Sequence, residues 1–167
     1  MSDIWLTSDT HFNHENILGF VTDGKSRGDH FNSVDHMNEV LIENWNSKVK
    51  PGDKVYHLGD VFMGDKEKFK KLWPRLNGRK RLVVGNHDDI KWLAQGGFFQ
   101  KIEMWRIFKE HNLVLSHVPL REDQLRKVEY NVHGHIHYNK SPTEQHRCVC
   151  VEQTGFSPVH IEEVLRV

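Results

Sequence analysis

Five short apolar runs each end in a side chain that can bind a metal ion. Ile4 to Ser8 leads into Asp9-Thr10-His11, and Val55 to Gly59 leads into Asp60. Leu82 to Gly85 leads into Asn86-His87-Asp88, Leu113 to Ser116 into His117, and Tyr130 to Val132 into His133-Gly134-His135-Ile136-His137. As donors, Asp9, His11, Asp60, Asn86, His117, His135 and His137 offer two carboxylates, one amide oxygen and four imidazoles, with no thiolate. That set suits manganese, iron, zinc or nickel, and it argues against a structural zinc finger or an iron–sulfur cluster. Seven side chains are too many for one tetrahedral ion and suit two ions sharing a carboxylate. Two ions about 3.5–4 Å apart favour in-line displacement at phosphorus, because they clamp the attacking and leaving oxygens and neutralise the phosphoryl charge.

The elements that must position these residues are legible as periodicity. Ile4–Leu6, Val55–Leu58, Leu82–Val84, Leu113–Leu115, Asn131–Val132 and Val149–Val151 are short β-branched or apolar runs bounded by turn signals, and they read as strands. Successive strand residues alternate sides, so Asp9 and His11 share a side if the first strand continues through them, as do His135 and His137. Between the strands, Val34, Met37, Val40, Leu41 and Trp45 recur at helical spacing after Ser33, a candidate N-cap. Phe69, Leu72, Trp73 and Leu76 mark a second helix over Asp65–Leu76. A third is expected from Asp89 to Ala94, stopped by Gly96-Gly97, and a last short one over His160–Val167. Alternating strands and helices predict βαβ units, and the close spacing of Met104–Phe108 and Leu113–Leu115 predicts an antiparallel pair. In such α/β proteins, ligands bind beyond the carboxyl ends of the strands, where all five donor segments fall. The polar loop Gly19–His30 is a candidate wall of that site.

Composition narrows the class. At 167 residues the chain has the length of one domain, residues 1–167, with 23 basic against 23 acidic residues. That balance argues against a generic nucleic-acid coat protein or an acidic disordered tail. No run of eighteen apolar residues marks a membrane span, and the opening residues lack a secretory pattern. Cys148 and Cys150 are too few for a disulfide framework and share one strand face as core residues. These features predict a reduced, cytoplasmic protein.

In order, Asp9-Thr10-His11, Gly59-Asp60, Gly85-Asn86-His87-Asp88, His117 and Gly134-His135-Ile136-His137 resemble the signature of the calcineurin-like metallophosphoesterase superfamily. The opening Thr7-Ser8-Asp9-Thr10-His11-Phe12-Asn13-His14 resembles a small stand-alone branch found in bacteria and phages. The resemblance implies an α/β four-layer αββα sandwich, with two mixed β-sheets flanked by helices. It implies a first ion held by Asp9, His11, Asp60 and His137, and a second held by Asn86, His117, His135 and the bridging Asp60. A metal-bridging hydroxide would attack phosphorus, and His87 would bind the phosphate and protonate the leaving group, acting most on poor leaving groups. The implied activity is a metal-dependent phosphodiesterase on small or nucleotide-type substrates, with phosphomonoesterase, nuclease or non-catalytic scaffold as alternatives. Manganese is the first expectation for both ions, with iron, zinc or nickel as alternatives.

One position departs from the family pattern. The acid that often stands three residues after the bridging Asp, charging the catalytic His, is here Met63. Asp65 or Asp88 could take its place, or His87 could act as a neutral donor. The Arg that follows this motif in protein phosphatases is also absent, which argues against protein dephosphorylation. Gly64–Arg81 carries eight Lys and Arg against two acids, a solvated helix face or a track for a phosphate backbone. His14, Arg27, Asn86 and His87 are the candidate substrate-phosphate contacts. Ligand histidines must be neutral to bind, so acid is expected to release the metal.

Overall fold

A computed structural model describes residues 2–166. The first sheet is built from β1 (Ile4–Thr7), β2 (Lys54–His57), β3 (Arg79–Val83), β4 (Lys101–Glu103) and β9 (Val159–His160), in the order β4-β3-β2-β1-β9. Its first four strands are parallel, and β9 runs antiparallel to β1. The second sheet, β5-β6-β7-β8, comprises β5 (Arg106–Phe108), β6 (Leu113–Leu115), β7 (Tyr130–His133) and β8 (His146–Cys148). Its first pair is antiparallel and the other two are parallel. Both sheets are therefore mixed, and the α/β architecture expected from the sequence is present.

The parallel strands need crossovers, and helices supply them. α1 (Val34–Lys48) links β1 to β2, α2 (Lys66–Leu72) links β2 to β3, and α3 (Ile90–Gly96) links β3 to β4. Ser33 caps α1 by accepting from His36 N, Asp65 caps α2 and Asp89 caps α3, each at its N-terminus. Gly97 closes α3 in the left-handed region, where glycine carries no steric penalty.

Two apolar layers hold the sheets. Leu6, Tyr56, Leu58, Val83, Phe108, Leu113, Leu115, Val132 and Val149 fill the space between them. Phe69, Trp73, Trp45, Met37, Leu41 and Leu82 pack the helices onto the other face of the first sheet. Phe69 is central there: its ring stacks on Phe62 at 4.0 Å and meets Trp73 at 5.2 Å and Phe98 at 5.1 Å. The outer face of the second sheet is covered by the segment carrying Leu120, Leu125 and Val128, which contains a 3₁₀ turn at Glu122–Gln124.

Three expectations about elements need correction. The apolar run Val149–Val151 is not a strand: β8 lies earlier, at His146–Cys148, and Val151–Gln153 is a 3₁₀ turn. Val149 and Cys150 are apolar because the chain there passes through the core, with Cys150 bridged to Ser8. The C-terminal segment forms no helix over the described residues of His160–Val167, because Val159–His160 pairs with β1 and turns follow (Val167 lies outside the described residues). Finally, β4 is an additional strand whose charged ends masked it. Among the described residues, no helix is long and apolar enough to cross a membrane.

Because Phe69 is fully buried among four rings, Phe69→Ala should lower unfolding free energy by about 3–5 kcal/mol. Urea denaturation measures this directly, and a loss below about 1 kcal/mol would show that the helical layer packs without it.

Candidate metal centre

The carboxyl ends of β1, β2, β3, β6 and β7 converge on two donor clusters. Asp9, His11 and His137 form one, and Asp60, His117 and His135 form the other, each with ligand atoms within 4.8 Å of one another. Asn86 Oδ1 joins the second cluster, 2.9 Å from His117 Nε2 and 3.1 Å from His135 Nδ1. Asp60 Oδ2 lies between the clusters, 3.6 Å from His11 Nε2 and 3.4 Å from His117 Nε2. All seven candidate ligands thus meet at one place, with Asp60 between the two clusters.

The backbone that brings them there is not an extended strand. β1 ends at Thr7, and Asp9 and His11 have φ values of 56° and 48°. His135 and His137 lie at 74° and 51°, and Asp60 at 55°. The pairing of Asp9 with His11 therefore arises from left-handed loop residues, not from strand alternation as the spacing suggested. Asp9 N donates to Gly59 O and His11 N to Asp60 O, so the first two ligand loops remain joined beyond their strands. Gly134 is required by contact: a Cβ there would come 2.0 Å from Ser8 Oγ and 2.3 Å from Asp9 Oδ2.

Two buried atoms test whether a cation fits. Asp9 Oδ1 and His11 Nε2 have no hydrogen-bond partner among the described residues, and they face each other at 3.7 Å. His137 Nε2 is also 3.7 Å from Asp9 Oδ1. Leaving such groups unpaired is costly unless something else coordinates them. The other Asp9 oxygen is satisfied, accepting from Ser8 Oγ, His135 N and Cys150 Sγ. A carboxylate, an imidazole and a second imidazole aimed at one point fit a divalent cation.

Hydrogen bonds behind the ligands fix which nitrogen faces inward. His117 Nδ1 lies 2.6 Å from Leu58 O and donates to it, which turns Nε2 toward Asp60 and Asn86. His137 Nδ1 lies 2.5 Å from Glu152 Oε2 and turns its Nε2 toward Asp9. Such partners orient metal-binding imidazoles and raise their basicity. Burial opposes charge on His117, but Asp60 and Asp9 overcome it and raise its pKa to about 9. His137 is likewise raised against burial by Glu152. Asp9 is held well below the usual carboxylate range: burial pushes up, but His11, His117 and His137 pull down harder. His57 packs beneath the site, where burial lowers its pKa to about 3. Gly59 N donates to its Nδ1, and its Nε2 lies 2.8 Å from Thr10 Oγ1.

The structure corrects two expectations about function. Arg27 cannot meet substrate. Its side chain is 1% exposed, and its guanidinium donates to the Asp9 and Thr10 carbonyls and to Glu152 Oε1 at 3.0 Å. It braces the first ligand loop from behind. Nor does Asp65 or Asp88 replace the acid missing at Met63. Asp65 caps α2, and the Asp88 carboxylate accepts from the Gly85, Asp60 and Val61 amides. His87 donates its backbone N–H to Asp60 Oδ1 at 2.9 Å and leaves its ring exposed.

His14 is half-buried, its Nδ1 3.3 Å from His11 Nδ1, and burial with the neighbouring cations lowers its pKa to about 4. Phe20, from the polar loop, sits 5.6 Å from the His14 ring, so that loop does reach the site. Glu152 and Cys150 were not legible as site residues, because they lie beyond the last ligand motif in a segment with an ordinary core pattern.

Comparison with known proteins agrees with this geometry. A family model described as calcineurin-like phosphoesterase matches residues 2–149. An uncharacterised protein of Methanocaldococcus jannaschii is 32% identical, over 100% of this chain and 92% of its own length. The gene 66 protein of Mycobacterium phage L5 is 35% identical, over 82% of this chain and 78% of its own. A crystal structure of a protein of unknown function from Aquifex aeolicus superposes with a TM-score of 0.76 and 27% identity, covering 99% of both chains.

Two tests follow from the hydrogen bonds behind the ligands. Glu152→Gln removes the charge behind His137 and beside Arg27, so it should weaken binding of one cation equivalent by about 10–100-fold. Calorimetric titration with Mn²⁺ reads this, and unchanged affinity would remove Glu152 from the site. Because His117 is raised to about 9, the ion-free chain carries a proton there at neutral pH, and ligation must expel it. Apparent affinity should therefore climb about tenfold per unit from pH 7 to 8.5. A plateau already at pH 7 would refute this.

Proposed function

We propose, since the chain belongs to the calcineurin-like phosphoesterase family, that it is a dinuclear phosphodiesterase acting on small or nucleotide-type substrates. The observation that carries this reading is Asp60 Oδ2, set between two donor clusters, one of which contains the unpartnered Asp9 Oδ1 and His11 Nε2. Two divalent cations, manganese first by the carboxylate, amide and imidazole donors, would be held by those clusters. When bound, they supply Lewis acidity, charge neutralisation and a water nucleophile at neutral pH.

The chain's own groups do the rest. The His87 amide fixes one Asp60 oxygen, which leaves the other for the shared position. Arg27 and Glu152 hold the Asp9 loop and the His137 ring in register. The exposed His87 ring can donate to a phosphoryl or leaving oxygen, with no carboxylate behind it. His14, kept neutral, can offer a second hydrogen bond.

Space around the site supports a diester. One cavity of about 450 Å³ is lined by His14, Met63 and Lys68, and another of about 420 Å³ by Asn86 and His117. A diester has two organic arms to accommodate, a monoester one. The basic stretch supports a small substrate over a polymer, because Lys66, Lys68, Lys70 and Arg75 are each paired with an acid. The two free cysteines are consistent with action in the reducing cytoplasm.

The test is hydrolysis of matched aryl phosphodiester and monoester with Mn²⁺, before and after chelation. We expect a higher kcat/KM for the diester, loss of activity on chelation, and loss of both bound metal and rate in Asp60→Asn. A monoester preference would reverse the diester reading, and two bound ions without hydrolysis would sink the phosphoesterase. His87→Ala should slow aryl and alkyl diesters alike, by about 100-fold, as for a lost neutral donor. A far larger loss on alkyl esters would instead make His87 a general acid.

A further inference from the structure

The cavity beside Asn86 and His117 differs in kind from the rest of the site. Its other walls are Val84, Met104, Trp105, Ser116, Val118 and Leu120 around Gly85, and its volume is about 420 Å³, within the range of small-ligand sites. Met104 is 75% exposed, Trp105 52% and Val118 45%, although each is large and apolar. Of the five tryptophans, all within the described residues, Trp105 alone is among the exposed large apolar side chains.

Topology explains the placement. β4 runs parallel to β3, so its carboxyl end, at Met104-Trp105, emerges on the same edge as Asn86. Val84 N donates to Glu103 O and ties these two exits together. β5 then begins and pairs antiparallel with β6, whose end delivers His117 and Val118. The crossover between the two sheets thus sets an exposed indole, a thioether and an isopropyl group beside Asn86 and His117 of one donor cluster.

We infer that this cavity is a base subsite, taking the planar ring of a nucleoside phosphate whose phosphoryl group lies at the Asp60 cluster. The inference rests on the phosphoesterase reading and names its substrate class. An exposed indole offers a face on which any base can stack, and a thioether makes favourable contacts with ring edges. Apolar walls interrupted by Asn86 and His117 suit a ligand that is apolar at one end and anionic at the other.

The test is binding to the Mn²⁺-loaded protein, read by tryptophan fluorescence and calorimetry, with AMP and ribose 5-phosphate as probes. They share the phosphate and sugar and differ in the base. We expect AMP to bind at least about tenfold tighter and to quench fluorescence, as a stacked base should. Trp105→Ala should erase that preference and the quenching, leaving ribose 5-phosphate affinity and metal content unchanged. Trp105→Phe should keep most of the preference. Equal binding of the two probes to the wild-type chain would overturn the subsite, as would equal loss of both in Trp105→Ala. The two readings fail separately: AMP preference without ester hydrolysis keeps the subsite and removes the enzyme, and hydrolysis without base preference does the reverse.

Discussion

Two carboxylates, Asp9 and Asp60, are buried within 4 Å of the same imidazole nitrogen, and the rest of the site is organised around that fact. Like charges in a poorly solvated space need positive charge close by, or one of them must take up a proton. The chain does not neutralise them with lysine or arginine. The one buried arginine at the site spends its guanidinium on carbonyls and on Glu152. What faces the carboxylates instead is imidazole, which can hold a proton or release it for a metal. Each carboxylate has one oxygen occupied by the protein and the other turned toward its partners: Ser8, His135 N and Cys150 hold Asp9 Oδ2, and His87 N holds Asp60 Oδ1. In the ion-free chain a proton on His117 supplies part of the missing charge.

Holding these groups requires an unfavourable backbone. Five of the seven candidate ligands, Asp9, His11, Asp60, His135 and His137, have positive φ. Non-glycine residues in that region cost roughly 1–3 kcal/mol each, and they persist only where their surroundings over-determine them. The determinants are visible. Arg27 fixes the carbonyls of Asp9 and Thr10, Asp88 fixes the amides of Asp60 and Val61, and the Asp9 and His11 amides bind the neighbouring ligand loop. The two packed layers on either side of the first sheet then keep those loops from relaxing apart.

This division explains which parts were legible in the sequence. Donor type and position at strand ends are local properties, so the convergence of the seven candidate donors could be read from five short segments. The cap at Ser33 and the helix starts at Asp65 and Asp89 were local in the same way. Left-handed turns at Asp and His carry no period, so the pattern suggested a strand through Asp9 and His11 where the chain curls instead. Arg27 read as an exposed loop residue because its partners, Asp9, Thr10 and Glu152, lie 18, 17 and 125 positions away. Glu152 was hidden for the same reason. The β8 displacement shows the converse: Val149–Val151 is apolar from burial alone, while the strand itself is the mixed His146–Cys148.

Asp88 shows how a nearby acid can serve geometry without serving proton transfer. It is adjacent to His87, yet its two oxygens collect the amides of Gly85, Asp60 and Val61 and so lock the second and third ligand loops together. Burial raises its pKa, and those three amides act against that rise. Turning it outward to charge His87 would release three backbone donors, one of them on Asp60, which lies between the two donor clusters. With Met63 where an acid often stands, no carboxylate among the described residues is hydrogen-bonded to the His87 ring. The ring is left free to donate a hydrogen bond without a carboxylate partner. On the proposed reading, leaving-group charge would then be met at the clusters themselves, and catalysis would rest on the position of Asp60 more than on proton delivery.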